Sequence, residues 1–165
     1  MMNKKPSNRS NGEDLAPSKA APLVVDQARM LLPGIQALFG FQLIAVFNQT
    51  FAEKLTPIEQ RIHLLAIALI VLTTMILIMP AAYHRQMEVQ DVTEEFIHLA
   101  SRLILISMVP FAISISMEFY LISRIILNDP SLALGFSILM IVLFFALWFG
   151  LPRLEAFRRL LGQKP

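Results

Sequence analysis

Apolar residues along this chain gather into four long runs, at residues 30–51, 62–83, 97–122 and 132–151, separated by short polar stretches. An α-helix rises about 1.5 Å per residue, so each run makes about 30 Å of helix, the thickness of a bilayer's hydrocarbon. The polar stretches carry start and stop signals. Thr56-Pro57-Ile58-Glu59 reads as a helix start, with Thr56 as the N-cap, Pro57 at the first helical position and Glu59 reaching back to the cap. Asn128-Asp129-Pro130-Ser131 reads as a turn before the last run. Short connections make consecutive helices antiparallel neighbours. The pattern predicts an all-α fold, a four-transmembrane-helix antiparallel bundle.

Polar residues inside the runs are unevenly distributed. The first run holds Gln36, Gln42, Asn48 and Gln49, with Pro33 expected in its first turn and Gly34 and Gly40 expected to let another helix approach. The second is cleaner. His63 lies at its mouth, Thr73 and Thr74 are expected to bond their own helix carbonyls, and Pro80 to loosen its last turn. The third carries Arg102 near one end, Glu118 near the other, and Ser107, Pro110, Ser114 and Ser116 between. The fourth is uncharged and ends in Trp148-Phe149, suited to headgroup depth. Polar stripes need partners where water is absent, so spans one and three are expected in contact, with the lipid-facing surface mostly on spans two and four.

Composition supports a membrane-embedded chain. Hydrophobic residues reach 56%, charged residues only 16%, and mean hydropathy is +0.62, all far from a soluble average. Residues 1–22 are polar and rich in Asn, Ser, Lys and Pro, and are expected to form a disordered cytoplasmic tail. Residues 23–152 make the membrane domain and 153–165 a short basic cytoplasmic tail. No apolar segment follows Lys4 and Lys5, so a signal peptide is not expected. With no cysteines, disulfides, thiolate metal sites and cysteine nucleophiles are excluded. A net charge of +2 without interleaved aromatics does not suggest nucleic acid. Lys and Arg concentrate before the first run, after the second and after the fourth, whereas the other side has only Lys54, Arg61 and Arg124. The positive-inside bias predicts a multi-pass inner-membrane protein with both termini in the cytoplasm. The two halves share no repeated polar pattern of the kind that marks inverted-repeat transporters.

Two groups of residues are candidates for a site. The first is an intramembrane polar stripe of Gln42, Asn48, Gln49, Ser107, Ser114 and Glu118. Ser107, Ser114 and Glu118 fall on one helix face, and Asn48 and Gln49 are matched to Glu118 in depth, with Gln42 further in. Here Glu118 is either an ion or proton site, or a structural acid bonded to span one or paired with Arg124. The second is an inner-face pocket of Gln36, Tyr83, His84, Arg85, His98 and Arg102, in which Glu94, His98 and Arg102 form a ladder of helical spacing. It would take an anionic lipid headgroup, or be an ordinary interfacial helix end. His63, His84 and His98 have no ligand spacing, so no metal and no cofactor is expected. No nucleophile–base order or phosphate loop is present, and no enzymatic activity is expected.

The blocks Leu31-Leu32-Pro33-Gly34-Ile35-Gln36-Ala37-Leu38-Phe39-Gly40-Phe41-Gln42, Pro80-Ala81-Ala82-Tyr83-His84-Arg85, Ser101-Arg102 and Trp148-Phe149-Gly150-Leu151-Pro152 carry a likeness. Over residues 26–153 the chain resembles an uncharacterised family of small bacterial four-span membrane proteins, a domain of unknown function. The resemblance implies the four-span architecture and brings no activity, cofactor or substrate. It draws attention to Pro33, Gln36, Gln42, Tyr83, His84, Arg85 and Arg102. The expected role is a structural, regulatory or accessory membrane subunit, with the bilayer and a homo-oligomeric or membrane-protein partner. The alternative is a small oligomeric transport or permeation module lined by spans one and three.

Overall fold

The computed structural model describes residues 17–86 and 94–154; most of both predicted tails and much of the loop after the second span lie outside these. The described chain is all helical. Helix α1 runs Pro17–Val46, α2 Gln49–Lys54, α3 Pro57–Gln86, α4 Glu94–Leu127 and α5 Pro130–Phe145, followed by a π-helical turn (Ala146–Gly150) and a 3₁₀ turn (Leu151–Arg153). Four segments are long and apolar enough to cross a membrane: Arg29–Val46, Pro57–Tyr83, Glu94–Leu127 and Pro130–Arg153.

The helix ends follow local chemistry. Glu59 Oε2 accepts from the Thr56 backbone N–H at 2.7 Å, and the Glu59 N–H donates to Thr56 Oγ1 at 3.3 Å, the reciprocal capping box expected at the start of α3. Asp129 caps α5, accepting from the backbone of Ser131 and Leu132, with Pro130 at the first position. Asn128, with φ 53°, makes the left-handed turn out of α4, a conformation asparagine tolerates better than most residues.

Span one departs from expectation at both ends. Its helix begins at Pro17, inside the segment expected as a tail, so Pro33 is an interior proline and not a first-turn one. It stops at Val46, before Asn48. That side chain accepts from the Thr50 N–H and starts the separate helix α2, so local capping outcompetes continuation of the span.

Contacts between helices give the topology. His63 meets Glu118, Ser114 meets the Ala66 carbonyl and the Tyr83 ring stacks on Phe96, so α3 and α4 are antiparallel. Ser137 donates to the Ser116 carbonyl at 2.7 Å and Trp148 stacks on Phe111, so α4 and α5 are antiparallel too. Ile35 packs with Ile70 and Leu77 whereas Gln42 meets His63, which sets α1 antiparallel to α3 and parallel to α4. The start of α1 and the end of α5 therefore lie at the same end of the bundle.

The central pair is α3 and α4, with α1 against both and α5 along α4. Residues Glu59, His63, Ala66, Ile70, Thr73 and Leu77 line the buried face of α3 at alternating spacings of four and three. Small residues let the backbones approach: Ala66, Ala112, Ser114, Ser116 and Ala133 are all buried. The glycines of α1 have no such role, since a Cβ at Gly34 or Gly40 would meet nothing within 4 Å. Span two is thus central, with Leu64, Met75 and Met79 still exposed on its outer face, and α1 in its place joins α5 as the most exposed spans. Thr73 and Thr74 bond the Leu69 and Ile70 carbonyls of their own helix, as expected. At the end of α5 the π-helical turn brings Trp148 onto Phe111, ring centroids 6.2 Å apart and planes 7° from parallel.

The surface is inverted relative to a soluble domain. Phe41, Ile44, Leu64, Met75, Ile126 and Ile138 are exposed, whereas Gln42, Glu59, His63, Ser114 and Ser116 are buried. In water this arrangement forfeits the hydrophobic effect; in lipid it is the stable one.

Candidate functional site

Polar side chains converge where α1 ends, α3 begins and α4 approaches its end. Gln42 enters from α1, His63 from α3, and Ser114 and Glu118 from α4. Gln42 Nε2 donates to Glu118 Oε1 at 3.0 Å and lies 3.4 Å from Ser114 Oγ. Glu118 also meets His63, whose Nδ1 stands 2.9 Å from one carboxylate oxygen and 3.1 Å from the other. The other imidazole nitrogen, Nε2, lies 3.0 Å from the backbone carbonyl of Gln42. Ser114 donates to the Ala66 carbonyl at 2.8 Å. Phe51 of α2 sets its ring edge-on to the imidazole, centroids 5.0 Å apart. The His63 side chain is 4% exposed and that of Glu118 16%, so water competes little for these bonds. Gln42 Oε1 is buried and accepts from no group among the described residues.

A second layer lies about one turn nearer the start of α3. Arg124 Nε stands 2.6 Å from Glu59 Oε1, and its Nη1 reaches the Lys54 carbonyl at 3.4 Å. With Oε2 accepting from Thr56, Glu59 both caps α3 and pairs with α4. Arg124 is therefore engaged with Glu59, and Glu118 finds its partners in Gln42 and His63.

Of the expected polar stripe, Gln42, Ser114 and Glu118 come together. Ser107 is buried on the same face of α4 but donates to the Ile104 carbonyl of its own helix at 2.7 Å. Asn48 and Gln49 do not join Glu118, because α1 has already ended; both are exposed at the start of α2. The expected inner-face group does not assemble as one unit. Tyr83 stacks on Phe96 with centroids 6.3 Å apart. Arg85, His98 and Arg102 are exposed, and no hydrogen bond or ion pair among the described residues joins them. Gln36 is also exposed, and it lies beside Ile35 at the level of Ile70, about 20 Å along the bundle from Tyr83. The His84 side chain lies outside the described residues. Among the described residues no three His, Asp or Glu side chains gather as a metal site.

His63 and Glu59 are the members that the candidate groups omitted. The signal was present in their spacing, since both fall on the stripe that carries Ala66, Ile70, Thr73 and Leu77. Polar residues in phase with a helix's buried face belong to the interior, whatever their depth.

An apolar-surfaced bundle of four spanning-length helices, its polar groups turned inward, fits a membrane protein. The chain belongs to the family of unknown function DUF6328, whose model matches residues 23–152. No curated protein and no solved structure matches it.

Proposed function

We propose that this chain is a non-enzymatic membrane protein, a structural, regulatory or accessory subunit whose buried polar residues hold three helices in one arrangement. The observation that supports this is how the cluster uses its groups. Gln42, His63 and Ser114 each bond to a neighbouring helix, and Glu118 bonds to two. Such bonds set helix register, because a slipped helix would leave polar groups unpaired in hydrocarbon. Deeper along α1 and α3 the packing is apolar, built from Ile35, Ile70 and Leu77 with Leu38, Phe39 and Phe111 around them. Gln36 faces outward and Gln42 inward, so the amides of span one do not line one path. Both facts favour the subunit role over the transport module.

In this reading the chain sits in a bacterial cytoplasmic membrane with both termini inside. The exposed Arg85 and Arg102 then meet anionic headgroups, and the apolar faces of α1 and α5 meet lipid, a second copy or a membrane-protein partner. Purification in mild detergent is expected to retain a stoichiometric partner or a homo-oligomer. Ion or solute flux through proteoliposomes above that of empty vesicles would overturn the subunit reading in favour of transport. A reporter fused after Gly162 is expected to act only on the cytoplasmic side; activity on the other side would reverse the orientation.

A further inference from the structure

We propose that His63 and Glu118 form a proton-binding site, holding one proton between them, and that this proton conditions the contact between α3 and α4. The inference goes beyond the subunit role and does not depend on it.

The argument starts from Nε2 of His63. Its neighbour is a backbone carbonyl, that of Gln42 at 3.0 Å, and a carbonyl can only accept. Nε2 therefore carries a hydrogen in every protonation state that keeps this contact. That leaves Nδ1, which stands 2.9 Å from Glu118. With one proton between them the contact is favourable wherever the proton resides. It is an ion pair if the proton is on Nδ1, and a neutral O–H···N bond if it is on the carboxyl group. With no proton, a nitrogen lone pair faces a carboxylate. With two, the carbonyl oxygen of the carboxyl group still accepts from Nδ1–H, but the carboxylate charge that balanced the imidazolium is gone. The first change sets lone pair against lone pair and the second leaves a cation without its counter-charge, in a place where Gln42 and Phe51 limit replacement by water.

The surrounding groups sharpen the case. From α1 the neighbour is the Gln42 amide, which does not titrate; its Nε2 donates to Glu118, and its Oε1 is buried with no donor among the described residues. From α2 the neighbour is the Phe51 ring, while Glu53 and Lys54 are exposed. From α3 and α4 come Glu59, four residues before His63, and Arg124, which pair with each other and together contribute no net charge, while Arg61 is exposed. Helix α5 carries no titratable residue within Pro130–Phe145. Among the described residues the dyad thus has no third titratable group bonded to it to absorb a change of one proton.

Purified full-length protein in liposomes tests this in two ways. The thermal midpoint of the wild type is expected to be highest at intermediate pH and to fall by several degrees on both sides. In Glu118→Gln the amide N–H can donate to the Nδ1 lone pair and no carboxylate remains to oppose it, so the fall at high pH should shrink. A wild-type midpoint that is flat with pH, or a Glu118→Gln profile that matches the wild type at high pH, would overturn the proposal. The second test does not depend on that variant folding. A His84→Gln, His98→Gln double variant leaves His63 as the one histidine, so ring ¹⁵N shifts report it alone. Nε2 is expected to remain protonated across the range while Nδ1 follows the shared proton. Loss of the proton from Nε2 while the protein stays folded, or an imidazole titrating as it does free in water, would overturn the assignment.

Discussion

Replacing Gln42 with leucine tests the polar clamp, and Gln36→Leu on the same helix supplies its control. Both changes exchange an amide for an apolar side chain of similar size. They differ in what the amide touches: Gln42 donates to Glu118 at 3.0 Å and approaches Ser114 at 3.4 Å, whereas Gln36 is exposed. A hydrogen bond to a charged acceptor contributes about 1.5–3 kcal/mol in soluble proteins. Between membrane helices measured values average about 0.6 kcal/mol and reach about 1.7. The Ser114 contact is long and adds little, and removing the unpartnered Oε1 offsets part of the loss. Gln42→Leu should therefore destabilise by about 1 kcal/mol. The backbone carbonyl that receives His63 Nε2 survives the substitution, so the cost reads the side chain alone. Gln36→Leu should be neutral or stabilising, because it removes an exposed amide from the span. The assay is reversible unfolding in mixed detergent micelles, with both variants measured against wild type. Equal effects within about 0.3 kcal/mol, or a larger loss at Gln36, would refute the reasoning.

Other expectations can be checked in the same assay. Arg124→Met leaves Glu59 without its cation and should cost about 2 kcal/mol, below the roughly 3–5 of a fully buried pair, because Arg124 is 23% exposed. Adding Glu59→Gln to that variant should recover part of the loss. Thr56→Ala removes the capping box at the start of α3 and should cost about 1 kcal/mol. Gly34→Ala and Gly40→Ala should each be neutral or stabilise by up to about 1 kcal/mol, since nothing stands within 4 Å of either new methyl group.

Much of the architecture was legible because hydrocarbon thickness limits how a sequence can be written. Four apolar runs separated by turn chemistry left few alternatives, and the capping box at Thr56 and the turn at Asp129 mark their helix starts in the sequence. The limits of span one were less legible. Asn48 reads as one more polar residue in a helix until its side chain is seen bonding the Thr50 N–H. The site was legible in part. Ser114 and Glu118 share a helical stripe, and Gln42 is the polar residue of span one that faces them. His63 was hidden by its position near a helix mouth, where a histidine is expected to face headgroups. Which helix is central is a property of pairs of faces. The extensive packing of α3 against α4 depends on Ala66 meeting Ser114, a match that neither run displays alone. Glycines suggested close approach in α1, but alanine and serine provide it elsewhere.

The central claim is that the exposed apolar surface of this bundle meets lipid while its polar groups are turned inward. The chain has no cysteine, so a single spin label placed by substitution reports one position without background. Labels at Met75 and Ile138, which are 65% and 54% exposed, and at Lys54 in the end helix α2, should be compared in liposomes. The account predicts that labels at 75 and 138 collide more with dissolved oxygen, which concentrates in hydrocarbon, than with a water-soluble nickel chelate, and that the label at 54 does the reverse. Nickel collisions prevailing at 75 and 138 would contradict it.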